Sequence, residues 1–460
     1  MKHGKWAFSM GIALQLMLSC AHAEDGFSSP SERAERTSFV WLTGSQATDK
    51  EFADAASSLI ASWQKQGLTN FAVYNLRRGR GLFVDKPADE VREFLKRNFS
   101  AGDGKVDYVV EPNGVLKSFA ICSDAYKKYE GKQTYVDWGV KRVWRNAPPR
   151  KYTGTAAVWI IDSGIAEGLG GIELRLELLR DCTYAKAPYC RTEGQSTDLI
   201  GHGTMIAGII AAMDNRLGVT GIAPGAPVNS LRVTTGSTGE VNLDHLLNTL
   251  DWIEKATKTD TDPSTPSPGD VINLSLGGPW VSKSLLNFNS IEEKLRDLAD
   301  AGFRISVAAG NIDDLGGLGY VSAISPARAG GYRAAKGGGM IATTSAIDAK
   351  DAFWPGSAFG NYYTDMAADP PTQAQSLPDY ALPGVKVASL WPGPDIAECT
   401  GTSAAAAHLS GILLWGSPVV DGYAQYDTSA EIPGAGAPPK PGDPGGYDEH
   451  YYDPIAVVRQ

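Results

Sequence analysis

Four residues far apart in the 460-residue chain have side chains suited to acyl transfer: Asp162, His202, Asn311 and Ser403. A serine hydroxyl is a weak nucleophile until a neutral imidazole takes its proton. The imidazole in turn needs a carboxylate that fixes its tautomer and stabilises the charge it acquires. The tetrahedral intermediate needs hydrogen-bond donors aimed at its oxygen. Ser403 sits in Gly401-Thr402-Ser403-Ala404-Ala405-Ala406-Ala407-His408, where a small-residue turn runs into alanines, the strongest helix formers. That places Ser403 at the opening of a helix, where free backbone N–H groups and the helix dipole favour negative charge. Asp162 lies in Asp162-Ser163-Gly164, His202 in Gly201-His202-Gly203-Thr204 and Asn311 in Ala308-Ala309-Gly310-Asn311. The carboxamide of Asn311 and the backbone N–H of Ser403 are the candidate donors for the oxygen. Each residue also has a plainer role available. Ser403 and Asp162 fit caps, His202 fits a core histidine, and Asn311 fits a turn. His245 and His408 are read as packing or hydrogen-bonding residues.

The elements that must hold these residues begin at Ala156. Ala156 to Ile161, Val228 to Val233, Val271 to Leu276, Arg304 to Ala309 and Met340 to Thr344 are nearly continuous apolar runs, the mark of strands buried on both faces. Helical patterns lie between them, at Thr204 to Met213, Leu243 to Lys255 and Ile291 to Ala301. The alternation predicts an α/β fold, a parallel sheet with helices on both faces. Ligands of such sheets bind beyond the carboxyl ends of the strands, where the four residues fall.

A separate unit precedes it. Strands are expected at Ser38 to Leu42, Phe71 to Leu76, Gly81 to Val84 and Val106 to Val110. Thr48-x-x-Glu51 is a capping box for one helix, and Asp85 is read as the cap of a second with Pro87 in its first turn. The order β-α-β-β-α-β is the ferredoxin-like α+β pattern. It carries no set of catalytic side chains. Asn98-Phe99-Ser100 is a glycosylation sequon. Residues 113–150 lack periodicity and read as a linker and domain entry.

Three blocks then carry a resemblance. Ile160-Ile161-Asp162-Ser163-Gly164, Gly201-His202-Gly203-Thr204 and Gly401-Thr402-Ser403 with His408 resemble the signature blocks of subtilisin-like serine proteases. Gly221 to Ala226, Asn273 to Gly278 and Leu382 to Val385 also match the family's pattern. The resemblance covers roughly residues 135–415. It implies a triad of Asp162, His202 and Ser403 with Asn311 as oxyanion donor. It implies that Gly236, Ser237, Thr238 and Gly239 on one side, and Ser275, Leu276 and Gly277 on the other, flank an extended peptide substrate. Residues 24–120 are similar to the family's inhibitory propeptide, and Trp138-Gly139-Val140 resembles the start of a mature enzyme. The family's usual Met after the serine and Pro before the helix histidine are replaced by Ala404 and Ala407. Extra residues occur around Cys182–Ser196 and Asp369–Pro378, and the usual elements after Gly411 are hard to find.

The remaining expectations concern address and partners. Lys2, His3 and Lys5, the apolar run Trp6 to Leu18 and Ala21-His22-Ala23 read as a signal peptide over residues 1–23, hence secretion. Export permits disulfides. Cys122, Cys182, Cys190 and Cys399 allow three pairings, with Cys182–Cys190 and Cys122–Cys399 placed first. The formal charge of −10 argues against nucleic acid, and no later stretch reads as a membrane span. Protein or peptide substrates, the chain's own propeptide as inhibitor and a monomer are expected. No cofactor is expected, and structural calcium is left without ligands. The maturation cut is expected between Gly114 and Tyr135, with 121–134 as the linker. The catalytic domain is read as 135–430 and a Gly/Pro-rich tail as 431–460. An aspartic protease is set aside because Asp162-Ser163-Gly164 has no second copy. A protease-shaped binding protein without activity is the alternative to the enzyme.

Overall fold

The computed structural model describes residues 30–44, 47–68, 71–76, 79–99, 105–118, 120–122, 134–166, 168–169, 173–184, 190–192, 198–258, 262–279, 290–315, 321, 324–359, 362–363, 375–376, 378–393, 396–425 and 453–459. The signal-peptide reading, the serine of the sequon and most of the linker and tail lie outside them.

After a short helix α1 (Pro30–Arg36), the leading unit runs β1 (Ser38–Thr43), α2 (Asp49–Gln64), β2 (Phe71–Leu76), β3 (Gly79–Val84), α3 (Ala88–Asn98) and β4 (Asp107–Pro112). Its antiparallel sheet has the order β2-β3-β1-β4. Thr48 and Glu51 form the reciprocal capping box at the start of α2. Asp85 does not cap α3. Pro87 occupies the cap position with no side-chain cap bond, because its fixed φ already turns the chain into the helix.

Strand alternation gives this sheet two apolar faces. Val40, Leu42, Leu82 and Val84 pack on α2 and α3. Phe39, Trp41, Tyr74 and Phe83 face the other way, into one continuous core with Leu246, Leu247, Leu250, Ile291 and Leu295. Gly81 makes this face flat: a Cβ there would stand 2.1 Å from the Trp41 ring.

The larger unit contains β5 (Val115–Ser118), β6 (Ile121–Cys122), α4 (Trp138–Val143), β7 (Val158–Asp162), β8 (Arg175–Asp181), α5 (His202–Ala211), β9 (Pro227–Arg232), β10 (Glu240–Asn242) and α6 (Leu243–Ala256). It continues with β11 (Val271–Leu274), β12 (Leu276–Pro279), α7 (Ser290–Asp300), β13 (Arg304–Ala308), β14 (Ile324–Ser325) and β15 (Met340–Ile347). Last come β16 (Tyr362–Tyr363), β17 (Gln375–Ser376), β18 (Tyr380–Pro383), β19 (Val387–Leu390), β20 (Ile396–Thr400), α8 (Thr402–Trp415), β21 (Val419–Tyr423) and β22 (Pro454–Val457). The main sheet has the order β21-β22-β18-β15-β13-β11-β7-β9-β8, and every pair is parallel except β21 with β22. After β7 the chain adds β8 and then β9 on one side and returns to β11 on the other. The strand order therefore reverses beside β7, the place where such sheets bind ligands.

Two segments depart from expectation. Residues 115–118, read as linker, form a strand, because neighbouring backbone edges supply hydrogen bonds that local periodicity does not reveal. The end of the chain is pinned: β22 lies parallel to β18, with Ile455, Ala456 and Val457 buried. That strand lies beside β18 after α8, where the sequence pattern after Gly411 made closing elements hard to find and left open that the last residues are pinned.

The leading unit is fastened to α6 by polar contacts as well. Arg33 Nη2 meets Asp244 Oδ2 at 2.6 Å, and Asn113 Nδ2 donates to Asp244 Oδ1 at 2.8 Å. Tyr74 donates its hydroxyl to Asn248 Oδ1 at 2.7 Å. Burial works against the Asp244 carboxylate, but Arg33 and its other partners bring it down to about 2. Glu111 is different. Burial, with the Glu292 charge adding, pushes its carboxyl up to about 7, against the Trp41 N–H that it accepts at 2.8 Å. A carboxyl raised in this way leaves stability untouched below its ordinary pKa of 4.5 and penalises it increasingly as pH climbs toward 7. Thermal unfolding is therefore expected to show a loss of stability between about pH 4.5 and pH 7. Glu111→Gln should remove part of that loss; an identical pH dependence in the variant would refute the assignment.

Candidate active site

Each candidate side chain is fixed by a regular element. Asp162 is the last residue of β7, His202 the first of α5, and Ser403 the second of α8; Asn311 follows β13 after a glycine turn. His202 Nδ1 lies 2.7 Å from Asp162 Oδ1, and both residues are buried. The same Asp162 oxygen accepts the Ser163 N–H at 2.7 Å. On the far side of the ring, the buried Nε2 of His202 has no hydrogen-bond partner among the described residues. A buried nitrogen without a partner is uncommon and is a natural seat for a transferred proton.

Ser403 donates its hydroxyl to the backbone carbonyl of Ser275 at 3.1 Å, and Ser275 Oγ donates to the Ser403 carbonyl at 3.1 Å. Asn273 donates to Ser275 Oγ at 2.9 Å and accepts from Ser410 Oγ at 2.9 Å, which ties the start of α8 to the end of β11. Ser403 is not a cap: the helix begins at Thr402, with Gly401 before it. Asn311 braces that start. Its Oδ1 accepts from Thr402 N at 3.0 Å and Thr402 Oγ1 at 3.1 Å, while Nδ2 donates to Asp314 Oδ2 at 2.9 Å. One of the two Nδ2 hydrogens is thereby committed, and the amide is held beside the residue preceding Ser403. His408 is packed inside α8, with Nδ1 2.8 Å from the Ala404 carbonyl, and burial brings it down to about 4.

Asp198 carried no signal in the sequence, yet it builds the histidine turn. Its Oδ1 accepts from Ser163 Oγ, Ile200 N and Gly201 N, and its Oδ2 from Thr204 N and Thr204 Oγ1, at 2.6–3.0 Å. Ser163 Oγ in turn accepts the Gly203 N–H at 2.9 Å, and a Cβ at Gly203 would stand 2.1 Å from the Gly164 carbonyl. Burial acts to lower the His202 pKa, but the Asp162 carboxylate, through charge and hydrogen bond, with Asp198 and Asp314 adding, holds it above the ordinary 6.5.

The cleft beside Ser403 is bordered by two backbone edges, and β5 lies between them. Leu276 and Gly277 of β12 pair antiparallel with Ser118 and Lys117. Glu240, Val241 and Asn242 of β10 pair with Lys117, Leu116 and Val115. Gly239 accepts the Ser118 N–H at 3.3 Å. Gly236, Ser237 and Thr238 form the turn that precedes this edge. Residues 240–242 carried no signal in the sequence, because three residues are too few to show strand periodicity. The two disulfides are Cys122–Cys399 and Cys182–Cys190. Among the described residues, no group of three or more His, Cys, Asp or Glu is placed to hold a metal, and no helix is long and apolar enough to cross a membrane.

The model of the Subtilase family matches residues 155–415, more than half of the chain and the whole span from before β7 to the end of α8. The chain belongs to the subtilase family. M-protease of Shouchella clausii (strain KSM-K16) is 28% identical over 279 residues, which are 60% of this chain and 58% of that protein. Subtilisin Savinase of Lederbergia lenta is 28% identical over 278 residues, 60% of this chain and 82% of that protein. This subtilase thus spans less than two thirds of M-protease. A cold adapted subtilisin-like serine proteinase of known structure overlaps at a TM-score of 0.42 and 21% identity, over 60% of this chain and 82% of that one.

Because Asp314 contributes to the raised His202 pKa, Asp314→Asn is expected to move the His202 titration downward. Imidazole proton shifts followed by NMR against pH measure it, and an unmoved or rising midpoint would contradict the electrostatic reading.

Proposed function

We propose that this subtilase is a secreted serine endopeptidase made as a zymogen that processes itself, with Asp162, His202 and Ser403 as its triad and residues up to Ser118 as its inhibitor. The observation that carries the reading is the position of β5. A peptide added as a strand between two edges is how such a cleft holds an extended substrate, and here the chain's own residues 115–118 occupy that place. Ser118 stands opposite Leu276, one residue from the Ser275 carbonyl that accepts the Ser403 hydroxyl. Ile121 stands opposite Thr400, three residues before Ser403. Ser118 and Ile121 are thus paired on either side of the nucleophile, and the cut is assigned to the interval between them.

The chemistry follows from the residues. His202 Nε2 takes the Ser403 proton as Oγ adds to the carbonyl. Asp162 stabilises the imidazolium, and the Ser403 N–H with the second Nδ2 hydrogen of Asn311 receives the oxyanion. His202 then returns the proton to the departing amine, and water releases the acyl group by the same route. An imidazole held above 6.5 requires a correspondingly higher pH before it is the neutral base, so the rise of activity with pH lies above the ordinary imidazole value. Disulfides persist in oxidising compartments, and together with the basic and apolar leader they support export.

Expression of the full chain tests the reading. The native protein should yield a secreted product whose first residue lies between 119 and 121. Ser403→Ala should stay uncut, and Asn311→Leu should be cut about 100-fold more slowly, the usual loss for one oxyanion donor. An uncut chain beginning near Glu24 that nonetheless hydrolyses peptides would refute the zymogen assignment.

A further inference from the structure

The chain is held a second time after β5: β6 pairs antiparallel with β20, Ile121 with Thr400 and Cys122 with Cys399. The same Cys122 is bonded to Cys399, with an S–S distance of 2.08 Å. Cys399 is fully buried, four residues before Ser403, on the strand that leads into α8. Residues before the cut belong to the acyl half of the cleft, and residues after it belong to the half that receives the departing amine. The disulfide therefore anchors the chain on the leaving-group side, within a few residues of the cut.

Two backbone pairings would not hold so short a strand once its peptide bond is gone. A covalent link does, because it turns rebinding into an intramolecular event at millimolar effective concentration. We propose that in the processed subtilase Cys122–Cys399 keeps the new amino-terminal residues lying along β20, so that the cleft is open to acyl groups but obstructed on the leaving-group side until a dithiol reduces the bond. The proposal rests on the zymogen reading above. In the cut, Ser403 Oγ bonds to the carbonyl carbon, the C–N bond breaks, and the new amine takes the proton from His202. The amine remains attached through Cys122, and water later releases the acyl fragment as a carboxylate. In the release step, a dithiol gives two electrons and two protons to the disulfide. It becomes a cyclic disulfide and leaves Cys122 and Cys399 as thiols.

The consequence is a selective effect on substrates. A peptidyl anilide, whose leaving group ends at the first position past the bond, should be cleaved almost regardless of the tether. A peptide reaching four residues past the bond must displace β6. Dithiothreitol added to the processed protein should therefore raise kcat/KM for the long peptide relative to the anilide by roughly tenfold, on the scale of a weak strand held at millimolar effective concentration. Cys122→Ser should show the raised ratio without reductant and no further response to it. A Cys182→Ser/Cys190→Ser variant should respond like the native protein, which separates the two disulfides.

A non-reducing peptide map decides what a failure means. If the map gives a first residue between 119 and 121 joined through Cys122 to Cys399, and the substrate ratio ignores both reductant and Cys122→Ser, the obstruction is overturned. If active protein still begins upstream of Val115, the zymogen reading fails instead. If Cys122→Ser does not fold, the native protein with and without dithiothreitol decides alone: a ratio that rises on reduction supports the obstruction, and an unchanged ratio overturns it.

Discussion

The contact between His202 Nδ1 and Asp162 Oδ1, 2.7 Å long and buried, is the interaction around which the subtilase is arranged. It joins the end of a central strand to the start of a buried helix. In the proposed triad it would serve only if both are held rigidly, because a displacement of an ångström or so is enough to cost a large factor in rate. The Asp198 carboxylate supplies that rigidity by accepting five hydrogen bonds from residues 163, 200, 201 and 204. It also adds charge that keeps the imidazole basic in a place where burial alone would weaken it. Asp162 remains the larger source of that basicity, and Asp198 adds to it while fixing the turn.

The second constraint is that α8 is buried along almost its whole length. A helix in that position needs small residues where it crosses the sheet and partners for its polar groups. The alanines meet the first need. Ser306 meets part of the second by donating to the Ala406 carbonyl, and the Asn273–Ser275–Ser410 chain orients the end that bears Ser403. The aromatic face of the leading sheet on α6 and α7 covers the neighbouring apolar surface. Burying several large aromatic rings there contributes stabilisation on the order of 2 kcal/mol each by area, while Arg33 and Asn113 fix the orientation by satisfying Asp244.

Much of this was legible in the sequence, for physical reasons. Continuous apolar runs at residues 156–161 and 271–276 mark strands buried on both faces, and the helices between them leave few other arrangements. Asp162, His202, Asn311 and Ser403 each border such an element, so their placement followed once the sheet was read. The parts not read depend on contacts distant in sequence. Val115–Ser118 is a strand only because β10 and β12 lie on either side of it. Pro454–Val457 is a strand only because β18 offers an edge. Asp198 stands among residues without periodicity, and nothing local announces that a single carboxylate there will organise a turn. Pro87, read as a first-turn residue behind an Asp85 cap, takes the cap position through its backbone rather than a side chain.

Everything proposed for this subtilase requires a reactive hydroxyl at Ser403. The direct measurement is covalent labelling of the processed protein with a serine-directed phosphonate, located by mass spectrometry. One label is expected, on the peptide containing Ser403, lost in His202→Ala as well as in Ser403→Ala and absent from a chain still uncut, where β5 would stand in the way of the reagent. A folded, processed protein that takes no label at Ser403, or that labels equally well without His202, would contradict it.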